Sequence, residues 1–219
     1  MNDPIDRQIV EKRLAFVGKM VSSASHELKN ILSIVSQLGG LLEDLLAGAR
    51  KGEAIAHDHL QRIAEGVSRA VQRGDDHVKK LHRFSHRLDA QSATASLNEA
   101  VAEVVALCQR LANLKTVRLT AEIPDDVMAM TDRPFVWQHA IYECLCIALE
   151  GASPDATVTV PLEKLGTTSR VTFDSSQGLS RERVESCMPW LRGLMEELGG
   201  TVDLSTSAGN ERLTISGPV

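Results

Sequence analysis

Residues 14–45 read LAFVGKMVSSASHELKNILSIVSQLGGLLEDL, and their periodicity decides the fold. With Leu14 at heptad position a, the a series is Leu14, Val21, Leu28, Val35 and Leu42, and the d series is Val17, Ala24, Ile31, Leu38 and Leu45. Every member is apolar, the signature of a long helix with a coiled-coil-like seam. Upstream, Asp3 before Pro4 is a good helix start, since an Asx side chain accepts orphan amide hydrogens and proline tolerates the first helical position.

Met20, Leu32, Ile34, Leu41 and Leu46 widen the stripe beyond what one partner helix would cover. After a break at AGARKGEA, a second repeat places Leu60, Val67, Leu81 and Leu88 in register, with Ile63, Ala64, Ala70, Val71, Val78 and Phe84 beside them. This predicts a helical hairpin. A single hairpin cannot bury both apolar faces, whereas two related by symmetry can, so a homodimeric four-helix bundle is expected.

The segment LDAQSATAS has linker composition, and the periodicity then changes. The expected domains are 1–92, the dimerisation hairpin, and 93–219, an α/β sandwich with helices on one side of a mixed sheet. The second domain reads as helix 97–114, strands 117–123 and 128–131, helix 133–152, strands 156–161 and 169–174, helix 181–198, and strands 201–205 and 211–216.

The 219 residues are 43% hydrophobic but only 3% aromatic, which favours helix packing over a base-stacking surface. A net charge of -5 argues against nucleic acid. The N-terminus carries acids where a secretory signal would be basic, and no run approaches the ~20 apolar residues of a membrane span, so a cytoplasmic protein without membrane contact is expected. Cys108, Cys144, Cys146 and Cys187 form no C-x-x-C pair and read as buried free thiols.

The heptad register puts His26 at f, pointing away from the seam, on a polar face shared with Ser22, Ser23, Lys29, Asn30 and Ser33. Asn30 lies one turn from His26. His57, His59, His82, His86 and His139 read as surface or packing residues, and His77 as a bundle-interior one. The string SSASHELKNILSIV resembles the H-box of bacterial sensor histidine kinases, in which a histidine on the first bundle helix is followed by an acid and, a turn later, by Asn or Thr. The resemblance implies that His26 is the phosphoryl acceptor, that Glu27 orients or assists its imidazole, and that Asn30 is a polar neighbour able to position water. A neutral imidazole has a lone pair for in-line attack on phosphorus, and a carboxylate accepting its other N–H offsets the developing positive charge.

The same resemblance makes the second domain a kinase-type ATPase domain, and its nucleotide motifs are then found wanting. The N-box, roughly N-x-x-x-N-A, is replaced by YECLCIALEGA, with Glu143 and Ile147; an isoleucine cannot ligate magnesium. Of the acid and glycines expected near adenine, Asp174 and Gly178 remain, with Ser176 where the first glycine belongs. Gly199 and Gly200 end the final helix, but SCMPWLRGLM precedes them, with no lid and no G-x-G. What remains resembles bacterial histidine phosphotransferases with a degenerate kinase-type domain.

That resemblance implies a phosphorelay protein shuttling a phosphoryl group between receiver-domain aspartates through His26 without ATP. No metal or other cofactor is expected in this chain, magnesium being held by the partner receiver. The receiver is expected to dock along Ser22, Lys29, Ser33, Gln37 and Gly40. Alternatives are a response-regulator phosphatase using Asn30, an active histidine kinase with an unusual lid, and a non-catalytic dimeric receiver-binding scaffold.

Overall fold

The computed structural model describes residues 4–89, 94–124, 128–207 and 210–219. Helix α1 spans Pro4–Arg50 and α2 spans His57–Asp89; the expected Asp3 cap and residues 90–93 of the expected linker lie outside the described residues. By contacts the chain forms two compact units, Lys19–His86 and Met1–Gly18 with Arg87–Val219.

The first unit is the helical hairpin. Gly52, at φ +92, turns the chain after α1, in the left-handed region that glycine enters without steric cost. Leu38 faces Gly66, and Ile31 faces Gly74, so the two helices run antiparallel. The d series does the packing: Ala24 and Ile31 are buried, and Leu38 and Leu45 half-buried. On α2, Ile63, Ala70 and Phe84 are buried; the Leu88 side chain lies outside the described ones. An apolar row stays in solvent. Val21 is 47% exposed, Leu32 67%, Leu41 50%, Val71 59% and Val78 51%.

By length and composition, α1 is apolar enough to cross a membrane, an 18-residue window within Arg7–Arg50 reaching mean hydropathy 1.4. This corrects the expectation that no segment has that apolar length. The reason lies in residues 31–48, where seam and flanking positions are apolar together and Glu43 and Asp44 are the only charges.

The second unit is the α/β domain. In chain order it comprises β1 (Ala95–Ser96), α3 (Leu97–Leu114), β2 (Arg118–Glu122), β3 (Met130–Thr131), α4 (Pro134–Gly151), β4 (Thr157–Leu165), β5 (Thr168–Ser175), α5 (Arg181–Glu196), β6 (Thr201–Ser207) and β7 (Asn210–Pro218). The five-stranded sheet has the order β2-β4-β5-β7-β6, with β2 and β4 parallel and the remaining pairs antiparallel. Strand alternation fixes its inner face: Val158, Val160 and Leu162 of β4, Val171 and Phe173 of β5, and Leu213 and Ile215 of β7 are buried. Ser96 and Ser180 cap α3 and α5 by accepting hydrogen bonds from the amides of Glu99 and Arg183.

Helix α4 is buried on nearly every side, packed by α3, α5 and the sheet, with the first turns of α1 adding to its cover. Phe16 of α1 lies 4.9 Å from the Tyr142 ring and 5.2 Å from the His139 ring, centroid to centroid. Ile5 and Ile9 approach Gly193 of α5, where an added Cβ would come within about 3.1 Å of both. The first turns of α1, which the sequence places in the 1–92 hairpin domain, thus make their contacts with the α/β domain.

Candidate functional site

His26 is exposed, at an f position on the side of α1 opposite the buried Ala24 and one turn before Asn30. Neither residue makes a side-chain hydrogen bond or ion pair among the described residues, so the imidazole is free to meet a partner. Ser22, Lys29, Gln37 and Gly40 are exposed, and Ser33, also exposed, donates its hydroxyl to the Lys29 carbonyl at 2.9 Å. An ideal Cβ on Gly39 or Gly40 would meet nothing within 4 Å, leaving the α1 backbone open to close approach there.

Glu27 is not isolated. Its Oε1 accepts a hydrogen bond from Arg73 Nη2 of α2 at 2.8 Å, an ion pair across the hairpin. Nothing in the sequence marks Arg73 for this place, since α1–α2 register comes from packing between helices rather than from either repeat alone.

The residues compared above with nucleotide motifs make their contacts within the chain. Ile147 is buried. Glu143 is bonded to Lys12 of α1 at 3.2 Å, and His139 Nε2 lies 3.7 Å from its other oxygen. Burial pushes the Glu143 carboxyl up, but His139 and Lys12 together outweigh it and hold the group below the usual carboxylate range. The Lys12 ammonium also sits 4.1 Å from the Trp190 ring centroid, and neighbouring Arg13 pairs with Glu197 at 2.8 Å. Asp174 is paired with Arg212 at 2.7 Å, and the Ser176 hydroxyl accepts from the Thr157 amide at 3.0 Å. Gly178 turns the chain at φ +76, and Gly199 at φ +67.

The remaining sequence-predicted groups are placed as follows. Cys108, Cys144 and Cys187 are buried free thiols, while Cys146 is half-buried; burial pushes the Cys144 thiol well above its ordinary value. His139 is a packing residue with no exposure, His77 is half-buried, and His57, His59, His82 and His86 are exposed. Among the described residues no group of three or more His, Cys, Asp or Glu side chains could hold a metal ion.

No family model and no curated protein matches the chain. Among solved structures, the catalytic domain of the histidine kinase ThkA in a nucleotide-free form is similar with TM-score 0.51 and 17% identity, over 58% of this chain and 95% of that one. A second nucleotide-free form of the same domain gives 0.50 and 17% over 58% and 96%. The α/β domain therefore has the fold of a histidine-kinase catalytic domain, preceded here by a long helical hairpin. The complex of ThkA with the response regulator protein TrrA gives TM-score 0.49 and 18% identity, over 100% of this chain and 67% of that one.

Proposed function

We propose that this chain is a histidine phosphotransferase of a two-component phosphorelay, working as a cytoplasmic homodimer and carrying a phosphoryl group on His26 between receiver-domain aspartates. The observation that carries this reading is the pairing of an exposed, unencumbered His26 inside the H-E-L-K-N string with a kinase-type domain whose nucleotide positions are filled by protein groups. In that domain Ile147 offers no oxygen to a metal, Lys12 neutralises Glu143, and Arg212 neutralises Asp174. These residues do not fit magnesium nucleotide, because phosphoryl transfer from ATP depends on charge neutralisation and positioning by free groups.

In the proposed step a ring nitrogen of His26 attacks the phosphorus of an aspartyl phosphate in line. A P–N bond forms as the anhydride P–O bond breaks, and the receiver's carboxylate leaves. The other ring N–H is donated to Glu27, which offsets the charge developing on the ring. Attack by a second receiver's carboxylate on the phosphoimidazole reverses the sequence and regenerates neutral His26. Magnesium belongs to the receiver, and Ser22, Lys29, Ser33, Gln37 and Gly40 form the surface on which it docks.

The dimer follows from the apolar row left in solvent on the hairpin, which a second hairpin would cover. We attribute the apolar character of α1 to that seam, since its a and d positions repeat every seven residues and its f positions are polar or small. Receiver dephosphorylation is the second reading, favoured by the exposed Asn30 one turn from His26. Relay between two receivers in the absence of ATP tests the choice. Wild-type protein and Asn30→Ala should both pass label from one to the other, whereas release of inorganic phosphate by wild type, stopped in Asn30→Ala, would identify a phosphatase.

A further inference from the structure

The ion pair between Arg73 and Glu27 has features that a surface salt bridge does not require. Neighbouring cations of α2 pair within their own helix, Arg69 with Glu65 at 3.6 Å and Lys79 with Asp75 at 2.6 Å. Arg73 instead reaches α1, and the carboxylate it meets belongs to the residue that follows His26. Contact between Ile31 and Gly74, where an ideal Cβ would sit 3.6 Å from Ile31 Cγ2, sets the register that brings the two groups together. The side chains are 59% and 38% exposed, so the pair adds little to folding, and its location needs another reason.

We propose that Arg73 is a positioning residue for phosphoryl transfer at His26, an inference that rests on the phosphotransferase reading. A glutamate beside a phosphoryl acceptor creates two difficulties. Its flexible side chain samples several rotamers, of which few meet the imidazole, and its negative charge repels the incoming phosphoryl group. One contact answers both. Arg73 holds Oε1, which fixes the carboxylate and leaves Oε2 to accept the His26 N–H, and its guanidinium supplies a positive charge where the phosphoryl oxygens approach. The planar guanidinium does this better than an ammonium, which is a point charge without a fixed fork.

The test is single-turnover transfer to the full-length protein from a receiver labelled on its aspartate with radiolabelled acetyl phosphate. Wild type, Arg73→Gln, Arg73→Lys, Glu27→Gln and the double variant are compared, with melting temperatures measured alongside. Arg73→Gln should lower the maximal transfer rate by about tenfold or more while leaving the half-saturating concentration and the melting temperature unchanged. Arg73→Lys should recover part of the rate. The double variant should be no slower than Glu27→Gln, because Arg73 acts through that carboxylate. Wild-type rates in Arg73→Gln, losses that multiply in the double variant, or a loss confined to half-saturation would each overturn the assignment while phosphotransfer stands. Wild-type protein that acquires no label would overturn the phosphotransferase reading and this assignment with it.

Discussion

Lys12 and Glu143 lie 131 residues apart in sequence, yet they form an ion pair at 3.2 Å with side chains 29% and 10% exposed. Removing the cation leaves a nearly buried carboxylate to be desolvated without its partner, so Lys12→Met should cost about 1–3 kcal/mol at neutral pH. The pH dependence has a definite sign. Because the folded-state value of Glu143 is lowered, its contribution is present above the ordinary carboxylate range and is lost as pH falls through the folded value. Denaturant unfolding of wild type and Glu143→Gln should therefore show a stability difference at neutral pH that closes under acid; a difference independent of pH would contradict the assignment. At this scale His26, Glu27 and Asn30 were legible in the sequence because a surface motif on a regular helix is a local pattern. Lys12 and Arg73 were not, because their partners are distant in the chain and were fixed by packing.

The hairpin was readable as an element because the heptads of its first helix are uninterrupted and a second repeat follows, and the structure sorts them by role. The d positions Ala24 and Ile31 are buried against the hairpin interior, while the a position Val21 remains 47% exposed and Leu28 half-buried. Leu28→Asp should thus dissociate the dimer by putting an unpaired charge into its seam, read as a halved mass in light scattering. A wild-type monomer at micromolar concentration would contradict the bundle. Gly39 and Gly40 weaken the same helix by roughly 0.5–1 kcal/mol each relative to alanine, and among the described residues nothing fills the space beside them. Gly40→Gln should leave helicity intact and weaken receiver binding at least severalfold by calorimetry; unchanged affinity would place the docking surface elsewhere. Within the α/β domain, helix and strand positions were legible from alternation and capping. Coverage of α4 by the first turns of α1 was not, because the heptad pattern of those turns says nothing about which surface they meet.

For the whole molecule, the proposed reading joins an α/β domain with the fold of a histidine-kinase catalytic domain to a hairpin that holds a histidine in solvent. Calorimetry with magnesium and ATP should accordingly show no binding at micromolar concentrations, and magnesium-dependent micromolar affinity would restore the kinase alternative. The central claim is that the phosphoryl group passes through His26. Its most direct measurement is discharge of a radiolabelled phosphorylated receiver by wild type and by His26→Ala, with both proteins resolved on one gel. Wild type should acquire acid-labile, base-stable label as the receiver loses it, and His26→Ala should neither acquire label nor discharge the receiver faster than the receiver does alone. Discharge by His26→Ala at the wild-type rate would contradict the account.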